Sequence, residues 1–472
     1  MTKPGTIREL RTSDYRVLSV KEELRKNLIG ILRRGENPFP GLIGYEGTVV
    51  PQVENAILSG QDIVLLGERG QAKTRLARSL VSLLDEEVPA IAGCEINDDP
   101  YQPICRQCRT EMEEEGDEAR IVWIGRDHRY GEKLATPDIT IADLIGEVDP
   151  IKVAEGRYLS DELTIHYGLI PRTNRGIFAI NELPDLAERI QVGLLNVMEE
   201  RDVQIRGYKV RLPLDLYVVA TANPEDYTNR GRIITPLKDR FGSQVRTHYP
   251  KTLAHEIAIM EEERTIFADG LEVIVPEYMK EIVAEITHLA RKSGDISQHS
   301  GVSVRVSITG LENLISNSVK RAIRLGEAQA APRISDLPAV VASLTGKIEV
   351  EALGDTREER IVDKLIQGAV LNVFNRRFRI EEFRELIVRF EGGFVMEVAE
   401  TMPSEQYVSP GMTLPGMSAA VDQLHLSDPA AMPGVKESPA VTASAVEFIL
   451  EGLHLSHKLN KERSAGKLRY RR

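Results

Sequence analysis

The chain has 472 residues, 42% of them hydrophobic, which suffices for substantial cores and suggests roughly three domains from length alone. A net charge of -12 excludes a general nucleic-acid platform, which needs a local excess of Lys and Arg, and three cysteines are too few for a disulfide framework. No apolar run approaches the roughly 20 residues that cross a bilayer, and no apolar signal segment opens the chain, so the expectation is a cytoplasmic protein.

In chain order, Ser19–Arg34 places Leu24, Leu28, Ile31 and Leu32 at helical spacing and ends at Gly35 before Pro38. A turn-rich stretch, Phe39–Gly44, leads to a second helix over Val49–Leu58. Asp62–Leu66 is a short apolar strand closed by Gly67, and a helix follows from about Thr74 to Leu84. Gly176–Ile180 and Leu216–Ala220 are short continuous apolar runs separated by helix-patterned segments, the mark of buried parallel strands. From Lys251 to about Glu400 the pattern is helical. Met402–Pro439, rich in Pro, Ser, Met, Ala and Gly without periodicity, reads as a linker or mobile strap. A final amphipathic helix carries Val446, Ile449, Leu450 and Leu453 on one face. The end of the chain sets Lys458, Lys461, Arg463, Lys467, Arg469, Arg471 and Arg472 against Glu462, and reads as a solvated tail, with contact to an acidic partner or nucleic acid as the alternative. The expected division is therefore 1–38, an N-terminal helical extension; 39–250, an α/β domain with an insert at about 92–135; 251–400, a helical domain; 401–440, a linker; and 441–472, a C-terminal helix and basic tail.

The chemistry concentrates in a few places. Gly67-Glu-Arg-Gly70-Gln71-Ala72-Lys73-Thr74-Arg75 fits the phosphate-loop pattern G-x-x-x-x-G-K-[ST], except that Ala72 replaces the second glycine. In such a loop backbone N–H groups cradle the anion, Lys73 reaches the β- and γ-phosphates and Thr74 ligates Mg²⁺. An ordinary strand-to-helix turn is the plain alternative. About a hundred residues on, the strand Gly176–Ile180 ends in Asn181-Glu182, and Glu182 is placed to polarise an attacking water. Asn181 stands where an aspartate is usual; an amide accepts a hydrogen bond from magnesium-bound water but supplies no charge, which predicts slow turnover unless a carboxylate such as Asp185 compensates. The next strand ends in Thr221-Ala-Asn223-Pro224, where Asn223 can orient water beside the γ-phosphate; a simple turn is the alternative. Arg240, in Pro236-Leu-Lys-Asp-Arg240-Phe-Gly242, is a candidate to reach a neighbouring subunit's γ-phosphate, with a surface ion pair as the alternative. Arg305 opens a helix in the second domain, positioned either to sense the nucleotide or simply to lie on a helix surface.

With these residues assembled, the chain resembles the AAA+ superfamily, in the branch that contains MoxR ATPases and the I subunit of magnesium chelatase. The resemblance runs from about Phe39 to Arg324 and is densest at Gly67–Thr74, Gly146–Pro150, Gly168–Glu182, Thr221–Pro224 and Pro236–Gly242. It implies a P-loop parallel-sheet core with a helical lid and a C-terminal helical extension. It further implies Lys73 and Thr74 as Walker A, Glu182 as Walker B, Asn223 as sensor 1, Arg240 as the arginine finger and Arg305 as sensor 2. Asp143–Asp149 and Gly168–Gly176 resemble the segment holding this branch's helix 2 insert, and Arg201–Pro213, with Val203, Ile205, Val210 and Leu212, resembles its hairpin before sensor 1. The family implies ATP and Mg²⁺, a homo-oligomeric, hexameric ring, and a partner carrying a von Willebrand factor A domain.

Ala92–Leu134 is longer than such a motor needs. Cys94, Cys105 and Cys108 form C-x10-C-x2-C, and His128 completes a candidate tetrahedral zinc set; three cysteines that only pack are the plain alternative. The acidic run Glu111–Glu118 reads as a solvated helix face or loop. The functional readings are a MoxR-like ATPase that remodels or matures a protein partner, a magnesium-chelatase ATPase subunit driving metal insertion into a porphyrin, and a non-hydrolysing nucleotide-binding scaffold. A sigma-factor activator is disfavoured because the Gly-Ala-Phe-Thr-Gly-Ala loop is missing from the sequence.

Overall fold

In the computed structural model, residues 3–149, 151, 154, 162–199, 212–223, 232–267, 270–297, 301–348, 355–426, 438–464 and 467–472 are described. The chain divides into two compact units, Met1–His248 and Tyr249–Arg472. Among the described residues no helix is long and apolar enough to cross a membrane.

The first unit contains the strands β1 (Ile63–Leu66), β2 (Glu87–Ile91), β3 (Ile121–Gly125), β4 (Tyr130–Leu134), β5 (Gly146–Val148), β6 (Ile165–Tyr167), β7 (Gly176–Asn181), β8 (Leu216–Ala222) and β9 (Ser243–Arg246). Five of these form one parallel sheet in the order β4-β7-β8-β1-β9. Alternate side chains go to opposite faces, so the sheet has a core on each side. Phe178, Ile180, Val218 and Ala220 join Ile190 and Leu194 of the helix Glu188–Glu199 on one face. On the other, Ile177, Ala179, Tyr217 and Val219 meet Leu24, Val53 and Leu76, from the helices Val20–Arg33, Val49–Leu58 and Lys73–Ser79. Tyr130–Leu134, assigned by sequence to the insert, is thus the edge strand of the main sheet; its weak apolar pattern hid it, because one side of an edge strand meets no neighbour. The insert proper is the antiparallel ribbon β2-β3 and the helix Arg106–Glu115, whose Glu113, Glu114 and Glu115 are exposed as expected.

The N-terminal helix is integral to this unit. Glu23 is 2% exposed and receives a fork of hydrogen bonds from Arg129, 1% exposed, at 2.8 and 2.6 Å. Arg129 also donates to the Arg175 carbonyl at 2.7 Å, and Glu23 accepts the Asp85 amide at 2.6 Å, so one buried pair ties the helix to the starts of β4 and β7. Gly176 sits so close to this crossing that a Cβ would lie 2.0 Å from the Arg129 carbonyl oxygen.

The second unit is mostly helical, as expected, with helices at Leu253–Glu263, Glu277–Lys292, Val304–Leu325, Asp355–Arg377 and Arg384–Glu391. Its small strands are β10 (Glu272–Val273), β11 (Gln329–Ala330), β12 (Met396–Val398), β13 (Asn460–Ser464) and β14 (Lys467–Arg471). Three expectations for its C-terminal part are corrected. The stretch read as a linker forms the helices Glu405–Met412 and Met417–Leu426, whose Tyr407, Met417, Val421 and Leu424 belong to the core; residues 427–437 lie outside the described set. The last helix, Pro439–Leu455, is buried from Ala440 to Leu453 rather than amphipathic. Its acidic side chains are matched inside: Glu447 accepts from the Ser335 amide and the Tyr407 hydroxyl, both at 2.8 Å, and Glu451 from Lys461 at 2.7 Å. The basic end is no free tail, since β13 and β14 form a hairpin that adds β14 to β12. Lys467 and Arg469 both pair with Glu397, Arg471 with Glu462 and Arg472 with Glu391, which leaves little excess positive charge for nucleic acid.

Breaking a buried ion pair by removing one partner strands the other charge, at about 3–5 kcal/mol. Glu23→Gln is therefore expected to lower the stability of the first unit by about that amount. Trp123, the only tryptophan and part of β3, reports on that unit, so its fluorescence during denaturant unfolding reads the loss directly. An unchanged midpoint would show that the pair is dispensable.

Candidate active site

The loop after β1 is shaped by two residues in the left-handed region, Gly70 at φ 76° and Ala72 at φ 51°. Such a conformation costs a non-glycine residue roughly 1–2 kcal/mol, so Ala72 is held there by its surroundings. Gly67 is required by close approach, because a Cβ would lie 1.9 Å from Thr247 Oγ1 and 2.2 Å from Gln71 Oε1. Buried Gln71 pins the loop from within. Its Oε1 accepts the Thr247 hydroxyl at 2.7 Å and the Glu68 amide at 3.1 Å, and its carbonyl accepts the Tyr45 hydroxyl at 2.7 Å. Burial pushes the Tyr45 phenol up to about 12, so it stays a donor. Beside the loop lies a cavity of 410 Å³ lined by Leu66, Gly67, Glu68, Gln71, Lys238, Gln244, Arg246 and Thr247.

Lys73 is 7% exposed, and a buried ammonium needs oxygen partners. Its Nζ donates to the Asn223 Oδ1 at 2.6 Å, to the Glu68 carbonyl at 2.8 Å and to the Gly67 carbonyl. Asn223, just past β8, turns its other end toward Glu182, where Nδ2 donates to Oε2. An amide carries its acceptor and its donors on separate atoms, so Asn223 accepts from the Lys73 ammonium with one and donates to the Glu182 carboxylate with the other. Glu182, at φ 57°, follows β7 in a left-handed turn, and its amide donates to Thr221 Oγ1 at 3.1 Å. The structure thus brings Lys73, Asn223 and Glu182 into one chain at the carboxyl ends of adjacent parallel strands, where open α/β sheets form their sites.

Thr74 and Asn181 also meet, with Thr74 Oγ1 donating to Asn181 Oδ1 at 3.4 Å and Thr221 Oγ1 donating to the same oxygen at 3.3 Å. The Asn181 amide nitrogen donates to Glu132 Oε1 at 2.6 Å. Glu132 lies on β4 and accepts a fork from Arg78 at 2.7 and 3.0 Å. Burial raises its carboxyl, but the hydrogen bonds and charge of Arg78 outweigh burial and hold it below the usual range. A carboxylate is therefore present one hydrogen bond away from the position where sequence reasoning found the aspartate missing. Glu132 was missed because only the pairing of β4 with β7 brings it there.

Arg240 ends the helix Thr235–Arg240, is exposed, and pairs with Glu199 at the end of the helix Glu188–Glu199. Arg75 lies in the first turn of the helix Lys73–Ser79. Arg305 belongs to the second unit, in the first turn of the helix Val304–Leu325, where its amide donates to Ser303 Oγ at 3.1 Å. Of the hairpin expected at Arg201–Pro213, residues 201–211 lie outside the described residues, as does Pro224.

The four residues expected as a zinc set do not all meet. Cys94, Cys105 and Cys108 do converge, but the fourth residue with them is Asp98. His128 lies beside Gly125, at the end of the β2-β3 ribbon opposite to Ile91, which immediately precedes the Cys94 turn. Four strand residues at about 3.3 Å each separate the two places.

No family model matches the chain. Its sequence is 25% identical over 306 residues to a magnesium-chelatase subunit ChlI of Mesostigma viride, covering 60% of this chain and 77% of that protein. The chloroplastic ChlI subunit of Oryza sativa subsp. indica is 24% identical over 332 residues, covering 64% and 74%. Among solved structures, a complex of the magnesium-chelatase subunits BchI and BchD aligns with 68% of this chain and 98% of that one, at 19% identity and a TM-score of 0.36. The chain is thus similar, over about three quarters of their length, to the ChlI subunits of magnesium chelatase, and the parallel sheet at whose strand ends Lys73, Asn223 and the Asn181-Glu182 pair converge agrees with a likeness to AAA+ ATPases of the branch that contains the MoxR ATPases and the magnesium-chelatase I subunits.

Proposed function

We propose that the site binds ATP and hydrolyses it, and that a ring of identical subunits uses the cycle to remodel or mature a protein partner. The observation that carries this reading is the chain Lys73–Asn223–Glu182, a cation, a bridging amide and a carboxylate in contact at the mouth of the phosphate loop. The triphosphate lies over the loop from Gly67 to Thr74, with Gly70, Gln71, Ala72 and Arg75 around it, and Lys73 exchanges its carbonyl and amide partners for phosphate oxygens. Thr74 and Asn181 are the residues suited to hold Mg²⁺ and its water, with Glu132 fixing the orientation of the Asn181 amide. When bound, the ion draws charge from the phosphate oxygens. Glu182 accepts the proton of a water whose oxygen bonds to the γ-phosphorus as the bond to the bridging oxygen breaks, giving ADP and phosphate; Asn223 holds Glu182 in aim. Asn223 is neutral, so it positions both charges without neutralising either.

The exposed Arg240 suits a finger supplied to the neighbouring subunit, and Arg305 matches the sensor 2 position of the branch. A hexameric ring and a partner with a von Willebrand factor A domain are the assembly this branch suggests. A second reading, the ATPase subunit of a magnesium chelatase, is favoured by the names of the relatives quoted above. The scaffold reading, nucleotide binding without hydrolysis, draws on Asn181, and Glu132 weighs against it.

Removing a general base lowers rate by about 10²–10⁴-fold. Glu182→Gln is expected to keep ATP binding and to lose phosphate release by such a factor; equal, slow release by both proteins would favour the scaffold.

Partners that orient metal ligands are worth about 10–100-fold in metal affinity. Glu132→Gln should raise the Mg²⁺ concentration for half-maximal turnover by at least about tenfold, while turnover at saturating Mg²⁺ stays near that of the wild type. An unchanged Mg²⁺ requirement would remove Glu132 from the site.

An arginine finger contributes about 10³–10⁵ in rate. Arg240→Ala should be nearly inactive alone, as should Glu182→Gln, yet mixing the two should restore hydrolysis at interfaces that combine the intact Glu182 of one subunit with the intact Arg240 of the other. No recovery on mixing would contradict action across a subunit boundary.

A further inference from the structure

The insert carries a second constellation that the motor does not use. Cys94 follows β2 in a turn in which its amide bonds to the Ile91 carbonyl, and Cys105 and Cys108 lie at the start of the helix Arg106–Glu115. One ligand atom from each of Cys94, Asp98, Cys105 and Cys108 lies within 4.8 Å of all the others. Tetrahedral zinc with bonds of about 2.3 Å to sulfur places its ligands roughly 3.8 Å apart, so a contraction of about an ångström closes the set.

Two independent features mark this as more than packed cysteines. The sulfurs accept backbone hydrogen bonds, the amides of Ile96 and Asp98 to Cys94 Sγ and that of Cys108 to Cys105 Sγ, each at 3.4 Å. Amides directed at sulfur favour the thiolate, the form that binds a metal. Asp98 is 0% exposed; its Oδ2 accepts the amides of Ile104 at 3.1 Å and Cys105 at 2.9 Å, while Oδ1 is buried without a partner among the described residues. A fully buried carboxylate oxygen left without a donor is costly, and a cation shared with three sulfurs satisfies it.

We propose that Cys94, Asp98, Cys105 and Cys108 form a structural Zn²⁺ site with three thiolates and one carboxylate. Four protein ligands fill the tetrahedron and leave no position for a substrate, so the ion staples the helix Arg106–Glu115 to the end of β2. Around it Cys105 and Cys108 share a core cluster with Ile91, Ile96, Tyr167 and Phe178, which links the staple to one face of the main sheet. The assignment stands on residues outside the nucleotide site and does not depend on hydrolysis.

The test uses the full chain purified under reduction without chelator. Metal analysis is expected to find one zinc per chain, and replacement with Co²⁺ is expected to give the near-ultraviolet charge-transfer band of cobalt bound to thiolate. Cys108→Ser should lose the metal, Asp98→Asn should bind Zn²⁺ at least about tenfold more weakly, as an amide supplies no charge, and His128→Ala should retain the metal in full. Titrating Co²⁺ into the reduced wild type keeps the test open if a variant fails to fold. Absence of both zinc and a cobalt–thiolate band in folded wild type, a disulfide among the three cysteines that survives in the presence of Zn²⁺, or a loss in His128→Ala equal to that in Cys108→Ser would each overturn the assignment.

Discussion

A single buried ammonium organises the proposed nucleotide site. Lys73 must find oxygen partners in a place from which water is nearly excluded, and it finds them in the loop's own carbonyls and in Asn223. That requirement couples three sequence-distant segments, because the loop must curl for its carbonyls to face inward, β8 must end beside β1, and β7 must end beside β8 to deliver Glu182 to the far side of Asn223. The parallel order β7-β8-β1 supplies all of this through ordinary ladder pairing.

The parts of this site that could be read from sequence share one property: each is local. The loop Gly67–Thr74 and the strand ends at Asn181-Glu182 and Thr221-Ala-Asn223 are short runs in which residue types and spacing already dictate the turn. What escaped was long-range. Glu132 looks like one more charged residue until β4 is paired with β7, and so does Asp98 until the Cys94 turn folds it against Cys105 and Cys108. Gln71 and Tyr45 escaped for the same reason, as their value lies in hydrogen bonds spanning much of the first unit.

The second unit gives the complementary lesson. Composition suggested a linker at Met402–Pro439 because Pro, Gly, Ser and Met lack periodicity, yet Tyr407 and Met417 are fully buried there. Small residues permit such helices to approach closely; at Gly411, in the helix Glu405–Met412, a Cβ would lie 3.0 Å from the Val446 side chain of the last helix. Likewise a run of basic residues reads as a tail only until its carboxylate partners, Glu397, Glu391 and Glu451, are brought alongside. Charge patterns along a chain describe its partners poorly when those partners lie far away in sequence.

The measurement that bears most directly on the nucleotide site is equilibrium binding of a non-hydrolysable ATP analogue, with Mg²⁺, to the wild type and to Lys73→Ala. Loss of the ammonium should weaken the analogue by at least about tenfold, because a charge-assisted hydrogen bond contributes about 1.5–3 kcal/mol. Equal affinity in the two proteins, or no affinity in the wild type, would contradict a triphosphate seated on the loop before Lys73.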